Sequence, residues 1–151
     1  EKSTFRSSNI VNTLKVIVNQ LDPQYHGITL MRYIQTPFIS TGTIEEAITS
    51  LVVSDADSAN AIEKINGCIY RRTSFGLESI NMDLGQLVGS ETLYRDSSTC
   101  VATRNSNLKK GSLTGSIIAG FVVSSAESFY IASTHDLEVA RSLAVQTDQK
   151  N

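Results

Sequence analysis

The chain has 151 residues and a mass of 16.4 kDa, the size of one domain, long enough to bury most of its apolar surface without staples and too short for two ordinary cores. With 40% hydrophobic and 19% charged residues it has a globular composition, which argues against a disordered chain. A formal net charge of -2 and a pI near 5.7 leave no broad basic field, so phosphate-dominated nucleic-acid binding and an anionic membrane surface are both poor partners.

No run approaches the roughly 18 apolar residues of a membrane span, and the opening Glu1-Lys2-Ser3-Thr4 is not a signal peptide, so any membrane attachment is expected through segments outside this chain. Ile10, Leu14, Ile17 and Leu21 recur at helical spacing, widened by Val11 and Val18, with Ser7 or Ser8 as cap and Asp22-Pro23 as stop. This predicts an amphipathic N-terminal helix with a broad packing face. Gly27 opens a strand over residues 28–34, with Met31 and Tyr33 on one face and Ile28, Leu30 and Ile34 on the other.

Thr43-Ile44-Glu45-Glu46 has capping-box spacing, and Ile44, Ala47, Ile48 and Leu51 continue it as a helix. A second helix is expected from Ser54 or Asp55 through Ile62 and Ile65 to a left-handed stop at Asn66-Gly67. A third follows from Leu77, Ile80, Leu84 and Leu87, ending at Gly89. The middle of the chain therefore reads as mostly helical. Beyond it, residues 93–95 and 99–104 flank the turn-forming Asp96-Ser97-Ser98 and predict a hairpin, and residues 105–111 read as a polar loop. The apolar run 116–123 predicts a buried central strand, with residues 129–132 as its hairpin neighbour. Ser133-Thr134-His135-Asp136 is a second capping box, opening a helix striped by Leu137, Ala140 and Ala144.

Signatures of chemistry are mostly missing. There is no G-x-S-x-G, H-E-x-x-H, C-x-x-C or strand-borne G-x-G-x-x-G, so no cofactor or metal site is expected and the chain does not read as an enzyme. Gly115 to Gly120 has the spacing of a phosphate-binding loop, but Phe121 stands where the lysine belongs. His135 beside Asp136 reads better as a helix cap than as two parts of a triad. His26, His135, Cys68 and Cys100 lack the paired spacing of zinc ligands. Arg71-Arg72 presents planar donor forks that suit a carboxylate or phosphate, against the plainer reading of a solvated surface, and Lys109-Lys110 is a second basic pair. Tyr33, Tyr70 and Tyr94 read most simply as core or interface residues; Tyr33, Arg71, Arg72 and Tyr94 are carried forward as candidate ligand contacts. Cys68 and Cys100 permit one disulfide, closing a loop of about 30 residues for roughly 3 to 4 kcal/mol, or two buried free thiols.

The order of elements resembles the PAS and GAF class of sensory domains. The segment from Glu91 to Thr103 is similar to the strand-turn-strand of extracytoplasmic PAS-like sensors, and Ile117 to Val123 followed by Phe129 to Ala144 is similar to the closing strands and helix of GAF domains. The resemblance implies a single α+β domain, an antiparallel sheet flanked by terminal helices with a helical middle. It also implies a non-catalytic sensory or ligand-binding module of a bacterial signalling protein, working as a homodimer through its N-terminal helix and taking a small molecule or protein partner. The abundance of Ser and Thr, the sparse Lys and the cysteine pair favour a periplasmic or extracellular setting over the cytoplasmic alternative. A competing reading is a pilin-like structural subunit or interaction protein of a surface apparatus, with residues 10–21 as the remnant of an assembly helix.

Overall fold

The computed structural model describes residues 2–81 and 92–148. The expected N-terminal helix is present as α1 (Lys2–Leu21), followed by strand β1 (Ile28–Arg32) and helix α2 (Thr41–Val53). Helix α2 starts three residues earlier than the capping box implies. Ser40 is extended at φ -85 and ψ 161, and its hydroxyl accepts from Thr43 N at 3.1 Å, so Ser40 and not Thr43 is the N-cap.

The middle of the chain departs from expectation. Residues 58–64 form strand β2 (Ser58–Lys64) and not a helix. Ser58, Ala59 and Ala61 are buried between neighbouring strands, where small side chains fit a filled sheet and leave no helical stripe. Next comes a hairpin of β3 (Tyr70–Thr73) and β4 (Gly76–Ser79), which replaces the start of the third expected helix; Leu84, Leu87 and Gly89 lie outside the described residues. Gly76 sits at φ 132, which explains a glycine at the turn exit.

The hairpin predicted around Asp96-Ser97-Ser98 is instead one long strand, β5 (Tyr94–Arg104). Its turn-forming residues make a bulge within the strand, where the β2 register shifts between Asn60 and Ile62 and Ser98 adopts φ 52. The expected polar loop contains a short helix, α3 (Asn105–Lys110), closed by Gly111 in the left-handed region. Strand β6 (Ile118–Val122) follows, then a turn over residues 124–129, and residues 129–132 form no strand. Helix α4 (Thr134–Asp148) closes the described chain on its predicted box: Ser133 Oγ accepts from Asp136 N at 3.2 Å and Asp136 accepts from Ser133 N at 2.8 Å.

The class is α+β, but the sheet is mixed where an antiparallel one was expected. Its order is β1-β5-β2-β6, with β5 antiparallel to both neighbours and β6 parallel to β2. Among the described strands β6 therefore lies at the edge and not in the centre, and Ile118 and Val122 stay exposed at 54% and 55%. One sheet face, carrying Leu30, Ala59, Ala61, Cys100, Ala102 and Phe121, packs with Ala47 and Leu51 of α2. The alanines let the helix approach closely. A second cluster joins Val11, Leu14 and Val18 of α1 to Tyr25, Leu108 and Leu113, so the buried side of α1 is narrower than the stripe read from sequence; Ile10, Ile17 and Leu21 are exposed.

Cysteines 68 and 100 are both free, which corrects the disulfide reading. Cys100 is buried in the sheet core, where burial pushes its thiol up to about 11, while Cys68 lies before β3 with its sulfur 3.1 Å from Ser79 Oγ. Cys100 thus lies within the main sheet and Cys68 beside the β3–β4 hairpin.

Candidate functional site

The β5 bulge builds a polar groove at one end of the main sheet. Beyond β1 the chain stays tied to β5 through Tyr33 N donating to Thr99 O at 3.3 Å, then turns as Thr36 N and Oγ1 both donate to Tyr33 O. Thr36 is wholly buried, so this turn is anchored. Ile131 N donates to Gln35 O at 2.9 Å, which carries the adjacent Tyr130 alongside.

Opposite them, Asp96 holds the bulge. Its carboxylate accepts from Ser98 N at 2.6 Å and from Asn60 Nδ2 at 2.8 Å, while Ser97 Oγ donates to Ala61 O at 3.0 Å and meets Thr99 Oγ1 at 2.8 Å. Ser98 shares the left-handed region with two other described non-glycine residues, Tyr25 and Asp55, which lie outside the groove; each such residue costs on the order of 1 kcal/mol. Together Tyr33, Ser97, Ser98 and Tyr130 line a groove of about 380 Å³, within the usual size of small-molecule sites.

Its electrostatics are one-sided. Burial raises the Tyr33 phenol above its ordinary range, and the nearby Asp96 carboxylate and Tyr130 phenol push the same way, so Tyr33 stays a neutral donor and acceptor. Among the described residues no cation lines the groove. It offers two aromatic rings and four hydroxyls beside a carboxylate, to which Ser98 Oγ donates at 3.4 Å, the chemistry of hydrogen bonding and stacking.

Of the residues singled out from sequence, only Tyr33 belongs to this groove. Arg71 and Arg72 lie on β3 in the separate hairpin; Arg71 is paired with Glu78 at 2.7 Å and both side chains are largely exposed. Tyr94 is exposed at the start of β5, opposite Lys64. Ser97, Ser98 and Tyr130 were not singled out as ligand contacts. The polar cluster Asp96-Ser97-Ser98 was visible as a break in an apolar pattern, but nothing in it distinguishes a turn from a bulge.

The other tempting constellations have structural employment. Asp136 is held low by the Ser133 hydroxyl and by the backbone N–H groups of Ala132 and Ser133, so it caps α4. Gly115 lies against Asp57, where an added Cβ would come within 2.1 Å of the Asp57 Cβ, so that glycine serves close packing. Lys109 sits over the Tyr25 ring, 5.5 Å from its centroid. Among the described residues no group of three or more His, Cys, Asp or Glu side chains is placed to hold a metal ion.

No protein-family model matches this chain, and no curated protein matches it in sequence. Among solved structures it is similar to 2-C-methyl-D-erythritol 4-phosphate cytidylyltransferase from Thermus thermophilus, with 13% identity and a TM-score of 0.47 over 78% of this chain and 61% of that one. The chain thus spans less than two thirds of that protein's length.

Proposed function

We propose that this chain is a non-catalytic binding module that takes a neutral or cationic, hydroxyl- or amine-bearing small molecule in the Tyr33–Tyr130 groove. The observation that carries the reading is the bulge: a strained Ser98, fixed by Asp96, lines a groove together with Ser97 and two phenols. The Asp96 carboxylate, exposed beside the groove, disfavours anions there by like-charge repulsion and favours a cation. In this reading the module is PAS/GAF-like in use, exported, and conveys occupancy through its terminal helices. The exposed Ile10, Ile17 and Leu21 of α1 are the surface by which α1 meets the partner that receives the signal.

The experiment is a thermal-shift screen followed by calorimetry, with neutral saccharides and small amines against inorganic phosphate and simple carboxylates. A ligand at 100 times its Kd stabilises by about 2.7 kcal/mol. A rise in Tm with a saccharide or amine is expected, lost in Tyr33→Ala and Tyr130→Ala while far-UV circular dichroism is unchanged. Stabilisation by the anions alone, or binding indifferent to both substitutions, would overturn the reading.

A further inference from the structure

Among the described residues, β6 is an edge of the main sheet with no strand on its outer side. Val123 N donates to Ile62 O, and Ile117 O accepts from Asp57 N and Ser58 N, so the odd-numbered residues of β6 turn their backbone groups toward β2. A strand alternates, and the N–H and C=O of Ile118, Gly120 and Val122 therefore face outward, where no described strand meets them. An unpaired row of this kind is usually blunted by charge or proline. Here none of the residues from Gly111 to Ala126 is charged or a proline, and Ile117, Ile118 and Val122 are all more than half exposed. The opposite edge, β1, is different: it ends in Arg32 and is followed by Pro37.

We propose that β6 is the seam of a homodimer in which two copies pair antiparallel about a twofold axis through Gly120, joining their sheets into one. The pattern is self-complementary about that residue. A twofold there places Ile118 opposite the partner's Val122 and Gly120 opposite the partner's Gly120, and each of these positions has outward backbone groups to exchange. Ile118 and Val122 share the face turned away from α2, so the pairing brings two apolar cross-strand pairs together and covers side chains now in water. Ile62 extends this surface inward, since its Cδ1 lies where a Cβ on Gly120 would stand, at 2.6 Å.

The antiparallel sense is the one that sets Ile118, Gly120 and Val122, the residues with outward backbone groups, directly opposite one another, so that each facing pair exchanges both of its hydrogen bonds. A second copy is favoured over a foreign strand because one sequence satisfies both sides of the same axis. This seam does not depend on the ligand groove, and it gives the dimer contact to the sheet edge, leaving α1 for other contacts.

Sedimentation velocity over a wide concentration range tests it first. The intact chain is expected to dimerise, and Val122→Lys, a surface change, to raise the dimer dissociation constant at least tenfold with the far-UV circular dichroism of the folded chain retained. Register is tested by cysteines in a Cys68→Ser background: Ile118→Cys with Val122→Cys in one chain is expected to give a reducible covalent dimer, and each alone far less. Four residues apart on one strand, the two thiols are too distant to close within a chain. A chain that stays monomeric throughout, a dimer indifferent to Val122→Lys, or one abolished instead by Ile17→Lys on α1 would each overturn the proposal.

Discussion

Asp57 shows how much a single position settles at the join between β2 and β6. Its carboxylate accepts from Ile117 N at 2.9 Å, and this hydrogen bond, with a second from Ser116 N, outweighs burial and holds the carboxyl below its usual range. The price of that contact is space: Gly115 must lie against the Asp57 side chain, and a Cβ there would meet Cβ, the carboxyl carbon and Oδ2 at 2.1, 2.5 and 2.6 Å. The nearest atom is fixed to the backbone, so the clash cannot be relieved by swinging a flexible tip. Gly115→Ala is expected to destabilise by roughly 1–3 kcal/mol through overpacking. Gly42 is the control, exposed in the first turn of α2 with only Ser40 Oγ at 3.7 Å, and Gly42→Ala is expected to be neutral or to stabilise by up to about 1 kcal/mol. Urea midpoints at unchanged m-value measure both; equal losses at the two sites would show that helix and loop propensities, not the Asp57 contact, govern Gly115.

At the scale of elements, the turn after β6 is fastened to the start of α2 by one carboxylate. Burial pushes Glu127 up, but hydrogen bonds from Thr43, Ser124 and Ser40 outweigh it and bring the carboxyl to about 2, against an ordinary 4.5. Its Oε1 accepts from Ser40 N at 3.3 Å and from the Thr43 hydroxyl, and its Oε2 accepts from Ser124 Oγ at 2.8 Å. The charge also sits beside the N-terminus of a 13-residue helix, where the dipole favours an anion. A depressed carboxyl contributes stability that is complete above about 4.5 and is lost as pH falls toward about 2. Glu127→Gln is therefore expected to cost about 1–3 kcal/mol near neutrality and to flatten the fall of Tm across that acid window. An unchanged acid limb in the variant would assign the pH dependence to other carboxyls. Which elements could be read from sequence follows from the same local physics. Helices α1, α2 and α4 carry apolar stripes, and α2 and α4 carry serine caps, so each declares itself within its own residues. Strand β2 does not, because Ser58, Ala59 and Ala61 are small enough to be buried anywhere, and Ile62 and Ile65 happen to stand a helical interval apart. At Asp96-Ser97-Ser98 the turn chemistry was legible, but only β2 and β1 lying on either side decide that the strand continues through it. The run 116–123 shows the converse, since a near-continuous apolar segment signals a strand and says nothing of whether a neighbour covers its outer edge. The groove was least legible of all. Tyr33 and Tyr130 come together through the Ile131–Gln35 hydrogen bond, a contact with no trace in either local sequence.

For the whole molecule, the two apolar clusters divide the work of folding. The sheet and α2 share one centre around Leu51 and Phe121, while α1 is held by the other, around Val11, Val18 and Tyr25, and meets the body through Leu108 of α3. A polar latch reinforces the second joint: Asp22, at the end of α1, accepts from Gly27 N and Asn105 Nδ2 at 2.7 Å each, and Asn105 in turn accepts from the Thr29 hydroxyl at 2.6 Å. Leu51 and Leu108 are both fully buried, so truncating either to Ala should cost a similar amount, about 2–5 kcal/mol. The consequences should differ in reach. Leu51→Ala weakens the centre on which every strand of the main sheet depends, so amide exchange is expected to quicken in β2, β5 and α1 alike. Leu108→Ala removes the main apolar anchor of α1 and leaves the α2 face of the sheet intact, so the amides of residues 11–21 are expected to open at a lower free energy than those of β2 and β5. Native-state hydrogen exchange at low denaturant separates the two. A helix that can detach while the sheet holds is a helix whose docking a ligand or partner can bias through differential affinity, and equal acceleration everywhere in Leu108→Ala would make the chain one cooperative unit and remove α1 as a carrier of signal.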